Sequence, residues 1–77
     1  MSKLPQVKAR DLVKIVLKLG FTFRDQSGSH AVYTHPDGRR TTIAIHPAQT
    51  IAVGLLTKII KKDLQITKEQ FIKLLKK

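Results

Sequence analysis

Apolar positions along this chain recur at two spacings, and the change from one to the other divides it into elements. Ala9, Leu12, Val13, Val16 and Leu17 fall at i, i+3, i+4, i+7 and i+8, one continuous stripe on a helix, with Lys14 and Lys18 opposite. Gly20 lies just past the stripe, where a helix C-terminus favours positive φ, so the spacing predicts a first helix from Lys8 to Leu19. Pro5 limits its extension backwards.

From Phe21 the period changes to two. Phe21 to Arg24 alternates, Ser27-Gly28 marks a turn, and His30 to His35 alternates again, which predicts a hairpin. Pro36-Asp37-Gly38 is a second turn signal, and Thr41 to His46 supplies a third strand with Ile43 and Ile45 in step, ended by Pro47. Helical spacing resumes over Ile51 to Ile60, where Leu55, Leu56, Ile59 and Ile60 form a stripe that Leu64 extends. Thr67-Lys68-Glu69-Gln70 reads as a capping box ahead of Phe71, Leu74 and Leu75. The order is helix, three antiparallel strands, then one helix or a broken pair: an α+β fold with helices on one sheet face.

Turn chemistry then assigns the two sheet faces. Pro-Asp-Gly fits a three-residue hairpin loop, a type I turn closed by Gly38 in a left-handed bulge. That register groups Ala31 and Tyr33 with Thr41, Ile43 and Ile45, and the same parity adds Phe21 and Phe23, so this is the face expected to be buried. The opposite face then carries Arg24, His30, Val32, Thr34, Thr42, Ala44 and His46, with Arg39 and Arg40 at its rim. A two-residue loop would instead bury His30.

Composition narrows what such a face can do. Seventy-seven residues suit one domain, residues 1–77, with one small core, and three Phe, one Tyr and no Trp make that core aliphatic. Zero cysteines removes disulfides, thiolate nucleophiles and Cys-based zinc sites, and suits the cytoplasm. The N-terminal "MSKLPQVKAR" lacks the apolar run of a signal peptide, and no apolar run approaches the roughly 20 residues that span a bilayer, so no membrane partner is expected. Fifteen Lys plus Arg against five acids give a net charge of +10 and a pI near 10.5, which makes a polyanion, nucleic acid first, the expected partner. Seven lysines lie from Lys58 onward, where a solvated helix face explains them, whereas Arg24, Arg39 and Arg40 cluster in the central segment. Arginine's planar fork suits phosphate clamping better than lysine.

The histidines are the candidates for chemistry. The spacings of His30, His35 and His46 match no helical ligand pair, and no carboxylate cluster joins them, so no metal and no cofactor are expected. Ser29 and His30 are sequence neighbours on a strand and point to opposite faces, which disfavours a Ser-His nucleophile pair. His35 precedes a turn proline and reads as surface decoration. General acid–base work on RNA asks for less: an imidazole takes the 2′-hydroxyl proton while cations stabilise charge developing on phosphorus. His46 is a candidate assistant if both rings point outward. From the residues alone, His30 is balanced between a catalyst and a polar residue flanking a turn.

The chain also resembles the HicA family of small toxins, whose fold is similar to the double-stranded RNA-binding domain. The likeness rests on Leu4-Pro5, a basic amphipathic helix ending "KLGF", then "GSHAVYTHPDGRRTTIAIH", then "GLLTKIIKK", and covers nearly the whole chain. The Gly28-Ser29-His30 signature with Tyr33 and Asp37-Gly38 is the specific part. The resemblance implies a double-stranded-RNA-binding-domain-like α-β-β-β-α fold, an endoribonuclease of a toxin-antitoxin system that cleaves mRNA with His30 as its catalytic residue, and a HicB-type antitoxin as partner. Arg24, Ser29, Arg39, Arg40 and His46 are the RNA-contact candidates. The alternative is a non-catalytic RNA-binding module on the same fold. A DNA-binding module has less support, because no helix-turn-helix pair precedes the sheet.

Overall fold

A computed structural model describes residues 4–76; Met1, Ser2, Lys3 and Lys77, the ends of the expected domain, of the N-terminal segment and of the lysine-rich stretch, lie outside the described residues. The elements are β1 (Val7–Lys8), α1 (Ala9–Lys18), β2 (Thr22–Ser27), β3 (His30–Thr34), β4 (Arg40–Ala44), β5 (Thr50–Ile51), α2 (Val53–Lys58) with a π-helical continuation at Ile59–Leu64, and α3 (Lys68–Lys76). β2, β3 and β4 form an antiparallel sheet in that order, and β1 pairs with β5 in a two-residue ladder. This is the α-β-β-β-α arrangement of a double-stranded-RNA-binding-domain-like fold.

α1 is closed at both ends by hydrogen bonds. At its start the Lys8 N–H donates to Asp11 Oδ2 at 3.2 Å, and the Ala9 and Arg10 N–H groups donate to the carbonyls of Gln49 and Pro47 at 2.9 and 3.2 Å. Amide groups that have no partner within the helix are thereby satisfied by the loop after β4. At its end Gly20 adopts φ 101°, the Phe21 N–H reaches the Val16 carbonyl and the Gly20 N–H the Leu17 carbonyl, the paired bonds of a Schellman motif. The expected stripe is rotated, however. Ala9, Leu12, Ile15 and Val16 are buried while Leu17 is 51% exposed, because Leu74 and Leu75 of α3 lie against α1 beside Ile15 and leave Leu17 outside the contact.

The second hairpin has the expected loop. The Gly38 N–H donates to the His35 carbonyl, closing a type I turn over Pro36-Asp37; Gly38 has φ 99°, and the His35 N–H meets the Arg39 carbonyl. Tyr33 therefore faces Thr41 and Ala31 faces Ile43, and these four are buried together with Phe21. The buried Thr41 hydroxyl donates to Asp63 Oδ2 at 3.0 Å.

Several boundaries differ from expectation. β4 ends at Ala44, so His46 is not a strand residue; its carbonyl accepts the Gln49 N–H in a turn at Pro47-Ala48. Ile51 belongs to the ladder with Val7, and the second helix begins only at Val53. Phe23 shares the Tyr33 face, its ring edge-on to Tyr33 at 5.8 Å, yet is 56% exposed on edge strand β2. Thr67 and Gln70 do form the capping box: the Gln70 N–H donates to Thr67 Oγ1 at 3.1 Å and the Thr67 N–H to Gln70 Oε1 at 2.9 Å.

Candidate nucleic-acid interface

The helix-free face of the sheet carries the candidate residues in three strands. The register sets His30 opposite Ala44, Val32 opposite Thr42 and Thr34 opposite Arg40, so these six share one face, away from the buried Ala31, Tyr33, Thr41 and Ile43. His30 directly follows a two-residue turn, Gly28-Ser29, between Ser27 and His30. Gly28 has φ 60° at the first central position, where a tight hairpin turn of type II′ places glycine.

His30 is exposed, and among the described residues its side chain makes no hydrogen bond. It stands at a cleft of about 240 Å³ between β4 and the β5–α2 segment, lined beside it by Thr42, Ala44, Gln49, Thr50 and Leu55. These neighbours offer hydroxyl and amide groups but no second titratable side chain. Ser29 is exposed beside it and holds the hairpin to β4 through its carbonyl, which accepts the Ile45 N–H at 2.9 Å. His46 is exposed and does not line this cleft.

Further along the same face lies a basin of about 430 Å³ lined by Arg24, Asp25, Val32, Thr34, Arg39 and Arg40 together with His35 and Gly38. Its far end, at Thr34, lies about 13 Å along β3 from His30 at the usual rise per strand residue. Three guanidiniums against one carboxylate make it electropositive. Asp25 reaches this face through an irregularity. Phe23 pairs with Tyr33 but Asp25 pairs with Val32, so Arg24 is the extra residue of a β-bulge, and Arg24 and Asp25 turn outward together. Sequence reasoning missed this, since nothing in Phe23-Arg24-Asp25-Gln26 signals a bulge; Gln49 and Thr50 beside His30 carried no signal either, whereas the hairpin register had already placed Thr42 on the His30 face.

The three arginines are not equivalent. Arg24 and Arg40 are exposed and, among the described residues, their side chains have no hydrogen-bond or ion-pair partner. Arg39 is committed within the protein: its Nε lies 2.8 Å from Asp37 Oδ2, its Nη1 donates to the Leu64 carbonyl, and its guanidinium sits 5.3 Å from the Phe21 ring centroid. Asp37 is held below its ordinary carboxyl value of 3.8, first by accepting the Arg39 N–H and further by the Arg39 and His35 side chains, against a smaller opposing effect of desolvation.

His35 is structural rather than decorative. Its Nε2 lies 3.1 Å from the Leu19 carbonyl, so Nε2 carries a proton, and its Nδ1 lies 3.1 Å from the Asp37 backbone nitrogen. Nδ1 is also 2.9 Å from Asp37 Oδ1, and the ring stands edge-on to Phe21 at 5.2 Å. Among the described residues no group of three or more His, Cys, Asp or Glu side chains is placed to hold a metal ion, and no helix is long and apolar enough to cross a membrane.

Comparison with curated proteins gave no match. Residues 9–66 match the family described as HicA toxin of bacterial toxin-antitoxin, a span from the start of α1 to just past the π-helical turn that contains the whole sheet and the His30 face. The chain therefore belongs to the HicA toxin family.

Proposed function

We propose that this toxin is an endoribonuclease that cleaves messenger RNA on the open sheet face, with His30 as the proton-transfer residue. The observation that supports it most is the company His30 keeps: an exposed imidazole with no internal partner, on the same face as an electropositive basin. In the proposed step His30 removes the proton from a ribose 2′-hydroxyl. The 2′-oxygen bonds to phosphorus, the bond to the 5′-oxygen breaks, and the leaving oxygen takes a proton from the imidazolium or from water. Arg24 and Arg40 attract and position the polyanion, Arg39 holds the turn that shapes the basin, and Ser29 and His46 flank the RNA path. The step calls on no metal or cofactor. A HicB-type antitoxin that covers this face would neutralise the toxin and offset its charge of +10. We place the whole activity in the cytoplasm and in one domain, residues 1–77.

Induced expression in a bacterium tests this reading. Growth arrest with shortened transcripts, relieved by a co-expressed acidic partner, is the expected result, and purified protein should cleave RNA equally with and without EDTA. The rival reading, a non-catalytic RNA-binding module, draws support from the His30 cleft, which has no second titratable side chain. It requires that RNA bound in long incubations stay intact.

A further inference from the structure

A basin meant only for phosphates has no use for a carboxylate, yet the bulge at Arg24 turns Asp25 into the arginine basin. With regular alternation from Phe23, Asp25 would face the helix side. The bulge brings it to the open face opposite Val32 instead, and bulges commonly re-aim a side chain in this way beside functional sites. There it is exposed and makes no salt bridge among the described residues; one carboxylate oxygen accepts the Gln26 N–H at 2.8 Å, which fixes the group's position and leaves the other oxygen open.

The basin has two walls and a floor. Asp25 and Arg24 stand on β2, Arg40 on β4, and Val32 and Thr34 of the intervening β3 form the floor. The wall strands are about 10 Å apart at the usual spacing, each wall carrying groups that reach inward. A carboxylate on one side, a free guanidinium on the other and a partly apolar floor between them match a flat heterocycle with donors on one edge and acceptors on the other. Among the RNA bases guanine has that pattern: N1–H and N2–H on its Watson–Crick edge, O6 and N7 on its Hoogsteen edge. Arginine is the usual reader of O6 and N7, and both edges are available only when the base is unpaired.

We infer that this basin is a specificity subsite for one unpaired guanine, with Asp25 accepting from N1–H and N2–H, Arg40 donating to O6 and N7, and Val32 and Thr34 beneath the ring. The inference rests on the reading of the open face as the RNA face. Because Asp25 lies one open-face pair beyond the Ser27–His30 pair, the guanine falls within one or two nucleotides of the bond that His30 addresses.

The experiment measures binding and cleavage separately. Fluorescence anisotropy on the His30→Ala protein compares oligouridine carrying a single central guanine, adenine, cytosine or uracil. The guanine oligonucleotide should bind about tenfold tighter than the all-uracil one, the usual worth of a base-edge contact. Asp25→Asn should reduce that preference to within about twofold without weakening oligouridine binding, since it removes a negative charge and keeps the oxygen that accepts the Gln26 N–H. Arg40→Lys, which keeps the charge and loses the fork, should also lower the preference. Equal binding of all four oligonucleotides, a preference for another base, or a guanine preference untouched in Asp25→Asn overturns the subsite. Cleavage mapping with the wild-type protein separates the two claims. Guanine preference without any cleavage refutes the nuclease and keeps the subsite; cleavage with no guanine at a fixed offset refutes the subsite and keeps the nuclease.

Discussion

Arg39 and Arg40 are neighbours in the chain and lie in different energetic situations: Arg39 is bound by Asp37, the Leu64 carbonyl and the Phe21 ring, while Arg40 stands exposed with no side-chain partner among the described residues. The first ties the second hairpin to the end of the π-helical turn; the second is available to a ligand. Replacing each by alanine should separate stability from binding. Arg39→Ala should lower unfolding free energy by about 1–3 kcal/mol, the range for losing a charged group's hydrogen bonds. Arg40→Ala should stay within about 0.5 kcal/mol of wild type in urea denaturation, yet weaken RNA binding and flatten its salt dependence.

Gly20 faces two constraints at once. Its φ of 101° lies in the left-handed region, and a Cβ there would meet His35 Nε2 at 3.0 Å. Gly20→Ala should therefore cost upward of about 2 kcal/mol, more than the strain of positive φ alone, because the imidazole that reaches the Leu19 carbonyl also has to move. His35→Ala in the Gly20→Ala background should cost less than in wild type, since the clash disappears with the ring. A double-mutant cycle by thermal unfolding checks this.

The hairpin turn should also give an acid-side signature. Asp37 titrates below its ordinary 3.8 in the folded protein, so its contribution to stability is fully present above that value and is lost as pH falls through the depressed folded value. Asp37→Asn should remove that part of the pH dependence, so stability curves of variant and wild type should converge toward low pH and separate above about pH 4. Parallel curves throughout would show that the Arg39 N–H and side chain do not favour the charged form.

How much of this was legible in the sequence depended on whether a local signal had a competitor. Gly20 after an apolar stripe and Pro36-Asp37-Gly38 between alternating segments are strong signals, and the Schellman motif and the hairpin register follow them. The faces of Ala31, Tyr33, Thr41, Ile43 and His30 came with that register. The bulge at Arg24 depends on how β2 settles against β3, which no residue in β2 announces. Leu17 and Phe23 satisfied their local periods, and their exposure was decided by where α3 packs and by the position of β2 at the sheet edge. Arg39 read as a phosphate ligand because its partners Leu64 and Phe21 are remote in the chain. The two-residue β1–β5 ladder was too short for any periodicity to reveal.

Catalysis by His30 is the central claim, and one comparison tests it most directly: the rate at which purified wild-type and His30→Ala proteins cleave a single-stranded RNA, with binding of the same RNA measured alongside. His30 is exposed and packs against nothing it would leave empty, so the variant should fold and bind as wild type does. Loss of an acid–base group should lower its cleavage rate by about 10²–10⁴-fold. Undiminished cleavage by His30→Ala, with RNA binding intact, would contradict the account.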